Sequence, residues 1–211
     1  MKKYVIWDFN GTILDDLELC LDLLNQMLAQ QYKQPITVEN YKDIFGFPIK
    51  DYYQEAGISF ENISFDALSN WFIELYQPLS LKESLHKDVI ETLSYIKSHD
   101  MKNVLLSASQ TDNLKEQIKH FKIEKYFDYV IGTDNVKAVG KVERGISFMN
   151  DNQINKDEVI YIGDTIHDYE VAKAMGVEVV LFDGGHQSNK RLNALNVDVI
   201  QRISDIIKYI S

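Results

Sequence analysis

The hydrophobic pattern divides the chain into two unequal parts. Residues 3–9, KYVIWDF, form a short apolar run rich in β-branched and aromatic residues, which is typical of a buried parallel strand. From about residue 15 to residue 83 the apolar positions instead recur at helical spacing, as in Leu17, Leu21, Leu24 and Leu28. This stretch is predicted to contain only helices and loops.

Strands and helices alternate in the rest of the chain. Apolar strands are predicted at 103–107, 129–132, 159–163, 177–182 and 197–200, with helices between most of them. Such alternation predicts an α/β fold, a doubly wound parallel sheet with helices on both faces. We therefore expect a core domain made of residues 1–14 and 84–211, with residues 15–83 inserted after the first strand as a helical cap domain.

Composition narrows the classes of partner. The 211 residues carry a net charge of −10, which repels nucleic acid and anionic membrane surfaces. No apolar run approaches the roughly 18 residues that span a membrane, and the one cysteine, Cys20, allows no disulfide framework. We expect a cytoplasmic protein, monomeric or homodimeric, whose partner is a small molecule.

Polar residues follow the predicted strands, where ligands of open parallel sheets gather. The first strand leads to Asp8, the second to Ser107 and the fourth to Asp164 and Asp168, and Lys141 follows the third. Three carboxylates at one edge would repel one another unless a hard cation lay among them, which favours Mg²⁺. Phosphoryl transfer to a carboxylate nucleophile is a reaction that uses this whole set.

The motifs DFNGT, LLS, the lone Lys141 and GDTIHD, in this order and spacing, resemble the four signature motifs of the haloacid dehalogenase superfamily. The likeness is to the branch that contains phosphoglycolate phosphatase and β-phosphoglucomutase, which carries a helical cap after the first strand. It implies a phosphatase in which Asp8 is the nucleophile. It also implies a magnesium site formed by Asp8, the backbone carbonyl of Asn10, Asp164 and Asp168.

The same resemblance assigns the phosphate-binding residues. Ser107 and Ala108 would bind the phosphoryl group, and Lys141 would neutralise it. Lys137 is a rival to Lys141, which is favoured because the residues after it read as a helix. In the cap, Lys50 is a candidate for a second charged group of the substrate, although an ordinary solvated lysine fits its position equally well.

Asn10 departs from the pattern of the phosphatase branch, which has a second aspartate at this place. That aspartate protonates the leaving oxygen, whereas an amide has no proton to give at neutral pH. General acid catalysis is typically worth about 10²–10⁴ in rate. A phosphatase with asparagine at position 10 would act on good leaving groups or would use another acid such as His167.

An asparagine at position 10 is also compatible with proteins that are not phosphatases. A protein that binds a phosphorylated ligand without hydrolysing it would tolerate the amide, and so would an asparagine introduced to trap a complex. A phosphonate hydrolase would need a cap lysine, for which Lys33, Lys42 and Lys50 are available. A dehalogenase is disfavoured because Asp164 and Asp168 are retained.

Three further polar positions receive structural expectations. Asp15 or Asp16 can cap the first cap helix. Thr12 is expected to bond locally and to position the loop after the first strand. The loop DGGHQS contains His186, for which an ordinary loop histidine is the expectation.

Overall fold

The computed structural model describes residues 1–133 and 140–210. A six-stranded parallel sheet has the order β5–β4–β1–β6–β7–β8, and β2 and β3 pair separately as an antiparallel ribbon. The strands are β1 (Tyr4–Trp7), β2 (Leu14–Asp15), β3 (Ser84–Leu85), β4 (Lys102–Gln110), β5 (Phe127–Thr133), β6 (Val159–Gly163), β7 (Glu178–Phe182) and β8 (Asp198–Ile200).

Ten α-helices are found in the described residues. They are α1 (Leu17–Gln30), α2 (Val38–Ile44), α3 (Ile49–Glu55), α4 (Phe65–Ser80), α5 (Val89–Ser98), α6 (Thr111–His120), α7 (Lys141–Asp151), α8 (Ile166–Met175), α9 (Asn189–Asn193) and α10 (Ile207–Ile210). In this part of the chain none of them has the length and hydropathy needed to cross a membrane.

Both faces of the sheet are buried, which explains the continuous apolar runs in its strands. Along β1, Val5 and Trp7 face one hydrophobic cluster and Ile6 faces the other, because successive side chains point to opposite faces. Helices α5, α6 and α10 cover the first face, and α7 and α8 cover the second. The expected doubly wound α/β fold is confirmed.

Helices α1 to α4 surround a hydrophobic cluster of their own. Leu21, Leu24 and Leu28 of α1 pack there against residues of the other three helices, as the helical spacing of the leucines predicts. The two segments that connect these helices to the sheet pair with each other, Leu14 with Leu85 and Asp15 with Ser84. The ribbon therefore joins the helical block to the sheet, and the division into cap and core domains stays a prediction.

The first face of the sheet contains a buried polar group that links three elements. Asn103 of β4 accepts a hydrogen bond from the Trp7 indole at 2.9 Å. Its amide donates to the carbonyl oxygens of Leu93 and Tyr126 at 3.1 and 3.2 Å. Because Asn103 and Trp7 are fully buried, no water can replace these bonds.

We predict that Asn103→Ala lowers the free energy of unfolding by about 2–4 kcal/mol, because it leaves one buried donor and two carbonyl oxygens without this partner. Urea denaturation measures the change. The matched control is Asn150→Ala on the exposed side of α7, for which the expected change lies within about 0.5 kcal/mol. Equal losses of unfolding free energy in the two variants would contradict the stabilising role of the Asn103 hydrogen bonds.

Candidate active site

The carboxyl ends of β1 and β6 lie side by side at the centre of the sheet and carry two of the expected site residues. Asp8 directly follows β1, and Asp164 directly follows β6. Helix α7 begins at Lys141, and the first turn of α8 carries Asp168. All four side chains are buried, so the structure brings together the residues that the sequence predicts at one strand edge.

Lys141 connects two of the carboxylates. Its ammonium group donates to Asp8 Oδ1 at 2.5 Å and to Asp168 Oδ1 at 2.7 Å. The lysine is 2 % exposed, so water screens these ion pairs weakly. Burial alone would lower the pKa of Lys141, but Asp168 and Asp8 outweigh it and raise that pKa well above its ordinary value. The lysine is therefore a fixed positive charge beside Asp8.

Asp168 is held rigidly by the start of α8. Its Oδ2 accepts from the backbone N–H groups of Asp164 and Thr165 and from the Thr165 hydroxyl, while the Tyr161 hydroxyl donates to Oδ1. Thr165 in turn caps the helix by accepting from the Asp168 N–H, which completes a capping box. With Lys141 added, both oxygens of Asp168 are occupied by donors.

Asp164 lies between two tight backbone segments. Thr12 donates its hydroxyl to Oδ1 at 2.8 Å, and the backbone N–H of His186 donates to Oδ2 at 2.7 Å. A Cβ atom on Gly11 would lie 2.4 Å from Oδ2, and one on Gly185 would lie 2.2 Å from it. Only glycine lets both segments approach so closely. The expectation that the Thr12 hydroxyl bonds locally is wrong, because it donates to Asp164 on the neighbouring strand end.

The carboxylates of Asp8, Asp164 and Asp168 carry more negative charge than Lys141 alone can balance. Burial raises the pKa of Asp8 to about 8 despite the attraction of Lys141, and burial with Asp168 raises the pKa of Asp164 to about 6. Among the described residues, one oxygen from each of Asp8, Asp164 and Asp168 lies within 4.8 Å of the other two. Such oxygens suit a hard divalent cation, which fits the predicted magnesium site.

Ser107 and Ala108 lie in the last part of β4, beside the end of β1. Ser107 is 1 % exposed, and its hydroxyl accepts from the backbone N–H of Ser109 at 3.1 Å. That turn brings the Ser109 hydroxyl to 2.9 Å from Asn10 Oδ1. This hydrogen bond joins the end of β4, where phosphate binding is expected, to Asn10.

Asn10 makes hydrogen bonds through both atoms of its amide. Nδ2 donates to Asp16 Oδ2 at 3.0 Å and to the Tyr76 hydroxyl at 2.5 Å. Tyr76 itself donates to the same Asp16 oxygen at 2.5 Å. Both N–H bonds of the amide are used, so Asn10 offers a carbonyl lone pair and no donor to a bound ligand.

Asp16 and His186 are functional candidates that the sequence interpretation missed. His186 Nε2 lies 3.2 Å from Asp16 Oδ1, and both residues are buried. Burial would lower the pKa of His186, but the charge and hydrogen bond of Asp16 raise it to about 9. Burial would raise the pKa of Asp16, but His186, Tyr76 and Asn10 hold it below its usual range. The two residues therefore form a buried ion pair.

The expectations for these two residues were wrong for a definable reason. Asp16 does occupy the N-cap position of α1, but its side chain makes no cap hydrogen bond and accepts instead from Gly11 N at 2.7 Å. His186 is 3 % exposed and bonds to the Tyr41 hydroxyl at 3.0 Å through Nδ1, so it is not an ordinary loop histidine. The one sign of this in the sequence is that two acids, Asp15 and Asp16, stand where a single helix cap is needed.

The other predicted candidates that the structure describes are exposed or partly buried. Lys50 is exposed, with its ammonium 5.7 Å from the Phe60 ring centroid, and Lys33 donates to the Gly57 carbonyl within the cap. His167 is partly buried, its ring 4.5 Å from that of Phe47, and burial and Lys141 lower its pKa. Lys137 lies outside the described residues.

The model of the family described as haloacid dehalogenase-like hydrolase matches residues 5–182. The chain belongs to this family. The match covers β1 through β7 and includes every residue of the carboxylate group. The resemblance carried by the four motifs is confirmed, as is the expectation of a hydrolase.

Curated relatives support the phosphatase branch. Phosphoglycolate phosphatase 1 of Pseudomonas aeruginosa is 21 % identical over 199 residues, covering 90 % of this chain and 72 % of the relative. A phosphorylated carbohydrates phosphatase of Thermotoga maritima is 26 % identical over 183 residues, 82 % of each chain.

A solved structure shows the same fold over the whole chain. It is a haloacid dehalogenase-like family hydrolase from Streptococcus pneumoniae, 16 % identical, with a TM-score of 0.81. The alignment covers 100 % of this chain and 99 % of the other. The similarity therefore includes the helical cap.

The Asp16–His186 ion pair predicts a specific pH dependence of stability. Because the folded pKa of His186 is raised to about 9, its contribution is complete below about pH 6.5 and is lost as the pH rises through 9. Asp16, whose pKa is lowered, contributes above about pH 4. The pair is therefore most stabilising between about pH 4 and 6.5.

We predict that the stability difference between the natural protein and His186→Gln shrinks by up to about 3 kcal/mol from pH 6 to pH 9.5. Urea unfolding at the two pH values, in the presence of EDTA, measures it. His120→Gln, at an exposed position at the end of α6, is the control and should show no such change. A difference for His186→Gln that stays constant with pH would exclude the ion pair.

Proposed function

We propose that the protein is a magnesium-dependent phosphohydrolase that acts on a small phosphorylated metabolite through an aspartyl-phosphate intermediate on Asp8. The observation that carries the proposal is the position of Asp8. Its Oδ1 is held by buried Lys141, while Oδ2 accepts no hydrogen bond within residues 1–133 and 140–210. An oriented carboxylate with one oxygen available suits nucleophilic attack on phosphorus.

The proposed reaction has two displacements at phosphorus. Asp8 Oδ2 forms a bond to phosphorus as the bond from phosphorus to the leaving oxygen breaks. Water then attacks the same phosphorus, which releases inorganic phosphate and regenerates the Asp8 carboxylate. Lys141 keeps Asp8 in place and offers positive charge to the phosphoryl oxygens, and Ser107 lies at the neighbouring strand end to bind them.

The carboxylates fit a magnesium ion. Asp8 and Asp164 would hold it together with the backbone carbonyl of Asn10, and Asp168 would act through water because five donors already occupy its oxygens. When bound, the ion supplies positive charge to the phosphoryl oxygens. This charge matters in a protein whose net charge of −10 repels anionic substrates.

The amide at position 10 indicates the leaving group. Asn10 has no acidic proton, and its two N–H bonds are used by Asp16 and Tyr76. His167 is a poor substitute as an acid at neutral pH, because its pKa is lowered. The favoured substrates are therefore phosphates whose leaving group departs without a proton, such as acyl or aryl phosphates.

The curated relatives agree with a small phosphorylated substrate. Besides the phosphatases for phosphoglycolate and phosphorylated carbohydrates, they include pyrophosphatase PpaX of Listeria welshimeri, 22 % identical over 174 residues. Pyrophosphate also releases a leaving group that needs little protonation. A protein that only binds the phosphorylated ligand would share every contact described above, so turnover decides between the two functions.

We predict that Asp8→Asn abolishes phosphate release, reducing kcat by at least about 10⁴, because the amide cannot displace the leaving group. The measurement is phosphate release from p-nitrophenyl phosphate with Mg²⁺, with circular dichroism to verify folding. Asp22→Asn, an exposed acid on α1, is the matched control and should retain full activity. Activity retained by Asp8→Asn would remove Asp8 from the mechanism.

We also predict a steep dependence on the leaving group. The natural protein should hydrolyse p-nitrophenyl and acetyl phosphate about 10²–10⁴ times faster than alkyl phosphates, because no side chain at position 10 protonates the leaving oxygen. A panel of esters with graded leaving-group pKa, assayed with Mg²⁺ and then with EDTA, measures both this slope and the metal requirement. Release from none of them would favour the ligand-binding protein.

A further inference from the structure

Position 10 cannot be understood without position 16. We propose that Asp16 positions the Asn10 side chain, and that the two residues work as a matched pair in which one position carries the carboxylate and the other carries the amide that donates to it. The inference deepens the proposed phosphohydrolase function and rests on it for its kinetic part. Its structural part is independent of turnover.

The contacts of Asp16 Oδ2 determine which way the Asn10 amide faces. This oxygen lies 3.0 Å from Asn10 Nδ2 and 2.5 Å from the Tyr76 hydroxyl. An ionised carboxylate accepts hydrogen bonds and cannot donate them, so the amide must present its nitrogen to Asp16. Its carbonyl oxygen then faces the Ser109 hydroxyl at 2.9 Å, on the side of the phosphate-binding strand end.

Asp16 cannot turn away to make room for another group. Its other oxygen, Oδ1, accepts from the backbone of Gly11 at 2.7 Å and lies 3.2 Å from His186 Nε2. The side chain is completely buried. Apart from Asn10, one donor comes from the loop after β1, one from the loop after β7 and one, Tyr76, from cap helix α4, so the carboxylate is fixed from three directions.

A carboxylate at position 10 would therefore meet Asp16 unfavourably. The Oδ2 atom of Asp16 would face another acceptor oxygen at about the present distance of 3.0 Å, and only the Tyr76 hydroxyl would be available to both. Two carboxylates in contact in a buried site repel each other strongly. The amide at position 10 is thus what a fixed carboxylate at position 16 requires.

Exchanging the two side chains preserves the pattern of donors and acceptors. In the double variant Asn10→Asp with Asp16→Asn, the new amide oxygen at position 16 accepts from Gly11 and His186. Its nitrogen donates to the new carboxylate at position 10, and the Tyr76 hydroxyl can donate to that carboxylate as well. The number of buried charges is unchanged, so this exchange separates the pairing from the identity of either residue.

The test compares four proteins: the natural one, Asn10→Asp, Asp16→Asn and the double variant. Thermal unfolding is followed without Mg²⁺, and phosphate release is followed with Mg²⁺ on aryl and alkyl phosphates. Asn10→Asp is expected to lower the Tm by about 5–15 °C, because it adds an unpaired buried charge. The double variant is expected to recover at least half of that loss.

The kinetic readout distinguishes positioning from general support of the fold. Asp16→Asn should lower kcat on the aryl ester at least tenfold with little change in KM, because the Asn10 carbonyl oxygen is no longer held against the Ser109 hydroxyl beside the phosphate-binding strand end. The double variant should hydrolyse alkyl phosphates about 10²-fold faster than Asn10→Asp, with a flatter dependence on leaving-group pKa. A contribution to stability alone would leave that dependence unchanged.

Additive effects would overturn the proposal: a double variant whose Tm and rates equal the sum of the single changes shows that the positions are independent. If the natural protein releases no phosphate from any ester, the proposed function fails, and the Tm comparison still tests the pairing.

If neither variant with Asn10→Asp folds, side-chain amide hydrogen exchange of Asn10 in the natural protein and in Tyr76→Phe replaces the cycle. Protection that falls at least tenfold in Tyr76→Phe supports the pairing. Exchange in the natural protein as fast as that of exposed Asn150 would overturn it.

Discussion

The constraint on which the site depends is the balance of buried charge. Four carboxylates are buried at the carboxyl edge of the sheet, those of Asp8, Asp16, Asp164 and Asp168, and in the described residues only Lys141 and His186 are buried cations beside them. Fully ionised, the group would carry a charge of −2, which is the charge that one divalent cation neutralises. Burial raises the pKa values of Asp8 and Asp164, and the charge of the neighbouring Asp168 raises both further. A divalent cation such as the proposed magnesium ion would offset this net negative charge.

The two buried cations divide the carboxylates between them, and the division links the cap to the core. Lys141 forms ion pairs with Asp8 and Asp168 within the core. His186 forms an ion pair with Asp16 and a hydrogen bond with Tyr41 of cap helix α2. Gln187 and Arg191 follow His186 in the chain and donate to the Phe45 carbonyl at the end of α2, at 2.7 and 2.6 Å. The loop after β7 therefore contributes to the His186–Asp16 ion pair and also holds the end of cap helix α2.

Much of this arrangement can be predicted from local sequence, and the rest depends on contacts that local sequence does not encode. The short apolar runs predict five of the six sheet strands within about two residues at each end, while β4 is longer, running to Gln110 beyond the phosphate-binding residues. Asp8, Lys141, Asp164 and Asp168 could be found because the end of a parallel strand, or the helix after it, places them at one edge. Asp16 reads as a helix cap, and its true partners come from the loop after β7 and from α4. Asp16 and these partners come together because the cap packs on the core, and the spacing of apolar residues along the chain does not predict that packing.

With the proposed pairing of positions 10 and 16, the asparagine of the first motif follows from this charge balance. With Asp16 already buried beside position 10, a carboxylate there would be the fifth in the group and would have no further buried cation among residues 1–133 and 140–210 to oppose it. An amide removes that charge and donates one hydrogen bond to Asp16 directly. It donates a second to the Tyr76 hydroxyl, which itself donates to Asp16. The acid that would protonate a leaving group is what this solution gives up. With the proposed function, such a site is suited to substrates whose leaving group departs without a proton, so the electrostatics of the loop after β1 would restrict the leaving groups that the site can release.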